Sequence, residues 1–187
     1  MSAGVQYLAL LRGINVGGKN LVKMADLRAA VESIGFAEVA TYIASGNVLF
    51  WAPRQRREEL AARIESELTR RFGVEVKVVL LTEAHLKVVV EGAPRGFGGD
   101  SHLWDVVFVR KPLTVKKAFG VVETREGVDR AWQGKGVLYF SRLAAKATSS
   151  RLSKVASLPE YKNMTIRSWS TTTKLLTLME SRVDRRA

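Results

Sequence analysis

Between Arg12 and Asn20 the chain reads RGINVGGKN, and from Gly13 onward this can be written G-x-x-x-x-G-K-N. The phosphate-loop pattern is G-x-x-x-x-G-K-[ST], one residue away, and it too lies between a strand and a helix. Glycines at 13, 17 and 18 let successive backbone N–H groups converge on an anion, which Lys19 would neutralise. Asn20 cannot supply the hydroxyl that holds Mg²⁺ in such loops. The expectation is therefore a metal-independent anion cradle made of Arg12, Gly13, Asn15, Gly17, Gly18, Lys19 and Asn20, not an ATPase or GTPase. The same glycines would serve equally if the loop needed only a tight, left-handed path.

Two further groups of residues bear on that chemistry. The turn Ser45-Gly46-Asn47 would bring Ser45 and Asn47 beside the first loop if the strands carrying them are neighbours, and otherwise is a hairpin turn chosen for its backbone angles. The C-terminal third interleaves Arg142, Lys146, Arg151, Lys154, Arg167 and Lys174 with Ser, Thr, Tyr139 and Trp169. Cations with hydroxyls position phosphates without reading bases, so these six are the expected nucleic-acid contacts. The sequence offers no catalytic or metal-binding constellation. His85 and His102 are the two histidines, Asp100-Ser101-His102 is contiguous where a triad is spaced, and Glu58, Glu59, Glu65 and Glu67 lie among arginines as solvated helix pairs.

The elements that must position these residues are readable from periodicity. VQYLALLR (5–12) is apolar on both faces, hence a buried strand whose outer face needs cover from the second half of the chain or from another subunit. Leu27, Ala30, Val31 and Ile34 recur at helical spacing up to Gly35. Residues 37–51 form a hairpin around 44–47. Leu60, Ile64 and Leu68 mark a second helix, closed at Gly73, and 74–81 returns as a strand. The order β-α-β-β-α-β predicts a ferredoxin-like subdomain over 1–81, followed by a second α+β subdomain over 82–187, with the Gly/Pro-rich loop 92–101 as the later boundary. In that second half, 82–92 suits a helix or a strand, 102–110 is a strand, 113–120 a short helix, 128–141 a hairpin, 149–156 a helix, and 165–169 leads into a final helix from Ser170. No internal repeat is visible beyond the doubling inside the first subdomain.

Composition sets the outer limits. At 47% hydrophobic and 26% charged residues, 187 residues suffice for a core without staples, and the absence of cysteine excludes disulfides and thiolate chemistry. No leader or membrane-length apolar run is visible, so a cytoplasmic protein with no membrane partner and no cofactor is expected. Thirty Lys/Arg against eighteen Asp/Glu leave +12. From Tyr139 onward ten basic residues face three acidic ones, so seven of those twelve charges lie there. Such a surface suits nucleic acid, a nucleotide or another phosphate-bearing ligand. An enzyme acting on a phosphorylated small molecule and a homodimeric interaction module are the alternatives.

LLRGINVGGKN (10–20), KMADLR (23–28), TYIASGNVLF (41–50), YFSRLAAK (139–146) and TIRSWSTTTKLLTL (165–178) carry a resemblance over nearly the whole chain. It resembles a bacterial family known only as a domain of unknown function, numbered sixteen ninety-seven. The resemblance implies two small α+β subdomains, the first ferredoxin-like, and transfers no catalytic residue. Ser168-Trp169-Ser170 departs from the Asn-Trp-Asn more usual in that family, which weakens or alters any binding role of those positions here.

Overall fold

The computed structural model describes residues 4–15, 18 and 20–184. It is an α+β structure with two four-stranded antiparallel sheets, and it divides into two compact units, Met1–His85 with Thr177–Ala187, and Leu86–Leu176.

In the first unit the chain runs β1 (Val5–Arg12), α1 (Met24–Ser33), β2 (Ala37–Tyr42), β3 (Asn47–Ala52), α2 (Arg57–Phe72) and β4 (Lys77–Thr82), with sheet order β2-β3-β1-β4. Alternation along β1 sends Tyr7, Ala9 and Leu11 toward the helices, where they bury Leu27 and Val31 of α1 and Leu60, Ile64 and Leu68 of α2. Phe50 stacks on Tyr7 and Phe36 within this core (centroids 5.7 and 4.5 Å). The opposite face of β1, Gln6, Leu8 and Leu10, is buried as well. Within this unit the last turns of helix α6 (Trp169–Asp184) reach that face. With its amide turned to satisfy both groups, Gln6 donates to the Met179 carbonyl (3.0 Å) and accepts from Arg182 Nε (3.1 Å).

α2 stops where Gly73 turns left-handed (φ 65°) and its N–H reaches back to Thr69 O (2.9 Å). Glu58 and Glu59 in its first turn and Arg70 and Arg71 in its last complement the helix dipole. Glu65 and Glu67, expected as solvated, are not. Glu65 accepts the N–H of Val78 on edge strand β4 (2.8 Å). Glu67 is buried against Ser33 and Arg70, and the Arg70 hydrogen bonds (2.8 and 2.9 Å) hold its carboxyl below the ordinary range despite its burial.

The second unit uses α3 (Glu83–Glu91, counted from Leu86), β5 (His102–Val109), α4 (Val115–Val121), β6 (Asp129–Gln133), β7 (Val137–Leu143), α5 (Leu152–Val155) between two 3-10 segments, β8 (Met164–Ser168) and the first turns of α6. Its sheet order is β6-β7-β5-β8. Residues 83–91 are helical, since Leu86 and Val89 bury one face at helical spacing despite their strand-forming neighbours. Val107, Leu138 and Phe140 form a core with Ala118 and Val155.

The two sheets share one connectivity and one register. Leu10 lies between Asn47 and Val79, and Phe108 lies between Val137 and Thr165 in the same sense. Leu11 N–H donates to Gly46 O (2.8 Å), Val109 N–H to Gly136 O (3.0 Å), and both glycines are left-handed (φ 76° and 79°). This repeat is absent from the residue pattern because the slot held by the sixteen-residue α2 in the first unit is broken in the second into 3-10, α5 and 3-10 pieces.

Candidate functional site

The glycine-rich loop is braced by its own asparagines. Gly13 is left-handed (φ 102°), and a Cβ there would sit 2.9 Å from Glu75 O. Asn15, itself at φ 53°, accepts from Val22 N–H through Oδ1 (2.8 Å) and donates through Nδ2 to Val22 O (3.0 Å) and Ala44 O (3.1 Å). Its backbone N–H donates to Asn20 O (3.1 Å), and Asn20 Nδ2 donates to Gly13 O (2.7 Å). Both amides therefore close the loop on itself and on the β2–β3 turn. Arg12 is half-buried, and Gly18 and Asn20 are exposed. Val16, Gly17 and Lys19 lie outside the described residues.

The turn at Ser45–Asn47 does meet this loop, because β1 and β3 are paired neighbours. Gly46 has no room for a side chain: a Cβ would come 2.9 Å from Leu11 Cβ and 3.2 Å from Ile14 Cδ1. Asn47 is fully buried and turns its amide inward, donating to Tyr42 O (3.0 Å) and Ser45 Oγ (2.9 Å). Of the convergence anticipated for Asn15, Lys19, Ser45 and Asn47, Lys19 lies outside the described residues, and the other three meet through backbone groups and inward-turned amides.

The six C-terminal cations fall into three environments. Lys146, Lys154 and Lys174 are exposed. Arg142 and Arg151 are half-buried: Arg142 Nη2 faces Asp105 Oδ2 at 3.3 Å, and Arg151 is tied down by its backbone N–H, which Asp129 Oδ2 accepts together with that of Arg125 (2.9 Å each). Arg167 is buried on β8, with Nη1 donating to Thr165 Oγ1 and Ile166 O (2.8 Å each). Burial pushes its pKa down to about 10, which leaves it charged at neutral pH but places it beneath the surface.

Residues outside those groups build the rest of the second unit's polar and aromatic features. Burial pushes the Asp105 carboxyl up, against the opposing pull of Arg142. Asp129 Oδ1, Ser141 Oγ and Arg142 Nε are buried without hydrogen-bond partners among the described residues. Phe97, from the loop 92–101, packs among Trp104 (4.6 Å), Trp169 (5.1 Å), Tyr139 (5.4 Å) and Trp132 (6.2 Å). Tyr139 is core, its hydroxyl donating to Val89 O at 2.6 Å, whereas Trp104, Trp132 and Trp169 remain half-exposed. The alternation of Trp104, Val106 and Phe108 along one strand is the signal that would have placed Trp104 on this face.

Among the described residues there is no group of three or more His, Asp or Glu side chains able to hold a metal ion, and no helix long and apolar enough to cross a membrane.

No curated protein matches the chain. Among solved structures, the conserved bacterial protein SP0830 from Streptococcus pneumoniae has a TM-score of 0.82 at 26% identity, over 95% of this chain and 99% of that one. The family model described as a protein of unknown function, DUF1697, matches residues 5–139, the greater part of the chain and the part that carries both the glycine-rich loop and the Ser45-Gly46-Asn47 turn. On that match, the chain belongs to the DUF1697 family.

Proposed function

We propose that this protein is a cytoplasmic binder of a phosphate-bearing ligand, nucleic acid or nucleotide, held chiefly by cations of the second unit. The observation that carries the reading is the exposure of Lys146, Lys154 and Lys174, with Arg142 and Arg151 half-buried, in the stretch that holds most of the net positive charge. Cations on rigid secondary structure attract phosphates at long range and position them without base contacts. The loop from Arg12 to Asn20 is the second contact in this reading, through Gly18 and Lys19, with Asn15 and Asn20 holding its shape. The scaffold is read as a ferredoxin-like subdomain ending near residue 81, supported by the order β2-β3-β1-β4, and the order β6-β7-β5-β8 supports the same reading for the second half.

A thermal-shift screen against nucleotides, inorganic phosphate and short RNA or DNA tests this. A ligand at about 100 times its Kd stabilises the fold by about 2.7 kcal/mol, which raises the melting temperature by several degrees. Lys146→Glu with Lys154→Glu should reduce that shift while leaving the unliganded melting temperature unchanged. A screen with no shift for any phosphate-bearing compound would end the reading.

A further inference from the structure

The register of the second sheet gathers cations that are far apart in sequence. β5 ends at Val109, and Val109 N–H donates to Gly136 O (3.0 Å), which sets the Gly134-Lys135-Gly136 turn beside that end. Arg110 N–H donates to Asn163 O (2.9 Å), which sets Lys162, at the entry to β8, on its other side. The chain leaving β5 passes Lys111 and starts α4, where Lys116 and Lys117 lie. Three segments thus bring Arg110, Lys111, Lys116, Lys117, Lys135 and Lys162 to one end of the sheet. Glu160 lies beside Lys117 Nζ at 3.8 Å. Lys116, Lys135 and Lys162 are exposed.

We infer that this sheet end is a docking surface for the phosphodiester backbone of a nucleic acid; the inference rests on the phosphate-binding reading above and assigns it a surface and a partner. Neighbouring strands lie about 4.8 Å apart, so the turn before β7, the end of β5 and the start of β8 set out their cations over roughly 10 Å. Phosphates recur every ~3.4 Å of axis along each strand of a duplex, so such a row meets several of them, where a lone phosphate would leave most of the row unused. Its topological counterpart in the first unit is the glycine-rich loop with the Ser45–Asn47 turn, which occupies the equivalent end of that sheet. Lysines on turns fixed by backbone hydrogen bonds hold their spacing without help from the ligand, which suits positioning by charge over base reading.

The test is fluorescence anisotropy of the full chain with a labelled single-stranded oligonucleotide. For a contact that neutralises about four phosphates, affinity should fall roughly fifty-fold between about 50 and about 200 mM salt. The triple variant Lys116→Glu, Lys135→Glu, Lys162→Glu should lose at least about tenfold at low salt, and the neutral triple Gln variant should lower the salt slope by about two, the value for three lost contacts. Unchanged melting temperatures of both variants confirm that surface charge was the variable. Binding by the triple variants equal to wild type, with weakening by the Lys146/Lys154 variant instead, overturns the assignment of this sheet end and leaves the phosphate-binding reading standing. Oligonucleotide-free binding to phosphatidylserine vesicles, lost in the triple variants, would assign the row to lipid headgroups and overturn it. No binding by wild type to any phosphate-bearing probe removes both.

Discussion

Asn15 shows how one residue type serves two purposes that a motif cannot separate. An asparagine in a glycine-rich loop can turn its amide to a ligand or to the chain, and here both ends of the amide are taken up by Val22 and Ala44. Asn15→Ala removes the partner of two carbonyls, Val22 and Ala44, and of the Val22 N–H, all part-buried or exposed, and should cost about 1–2 kcal/mol in urea denaturation whether or not a ligand is present. The glycines divide on the same physical ground. Gly46→Ala combines a left-handed backbone with a contact of 2.9 Å to Leu11 Cβ, whereas Gly35→Ala meets open space at φ 85°. The first should cost clearly more than the second, for which strain alone amounts to about 1 kcal/mol. Equal losses in the two midpoints would mean that the loop and turn are not packed as described. At this scale the sequence made the residue types and their proximity legible. The direction in which the Asn15 amide points depended on carbonyls at 22 and 44, which no local pattern displays.

The elements of the second unit depend on side chains that tie one segment to another. The Tyr139 hydroxyl, on β7, holds the carbonyl of Val89 near the end of α3, and Phe97 fills the space between neighbouring indoles. Tyr139→Phe should cost about 1–2 kcal/mol, read as a lower denaturation midpoint, because it orphans a buried carbonyl without opening a cavity. Asp105 on β5 governs a pH effect. Its carboxyl is pushed up in the folded state, so between the ordinary carboxylate pKa of about 3.9 and its raised value the folded chain binds more protons than the unfolded one. Its contribution to stability is therefore greatest in acid and falls as pH rises through the raised value. Asp105→Asn should flatten that fall when unfolding is followed from about pH 4 to about pH 7, even though Arg142 loses its partner and overall stability drops. An unchanged pH profile would mean that Asp105 titrates as an exposed acid. Helices and strands of the first unit were legible because their periodicity is regular and Gly73 closes α2 where expected. The second unit was less so, since 82–92 is rich in valine and the stretch between β7 and β8 never completes a long helical period.

At the scale of the whole molecule, a basic chain carries two sheets of the same connectivity, and exposed lysines gather where the register of one sheet ends. The overall charge and the α+β class could be read directly from composition and periodicity. The gathering of positions 110, 135 and 162 could not, because it follows from strand pairing across more than fifty residues. Arg167 illustrates the converse: a basic residue in a basic stretch, yet buried by the alternation of β8 and withdrawn from any surface contact. The measurement that tests the central claim most directly is the affinity of the intact protein for a short single-stranded oligonucleotide as a function of salt. Binding that weakens roughly fifty-fold between about 50 and about 200 mM salt is the result predicted for a surface neutralising about four phosphates. Absence of binding at the lower salt, or an affinity that does not change with salt, would contradict it.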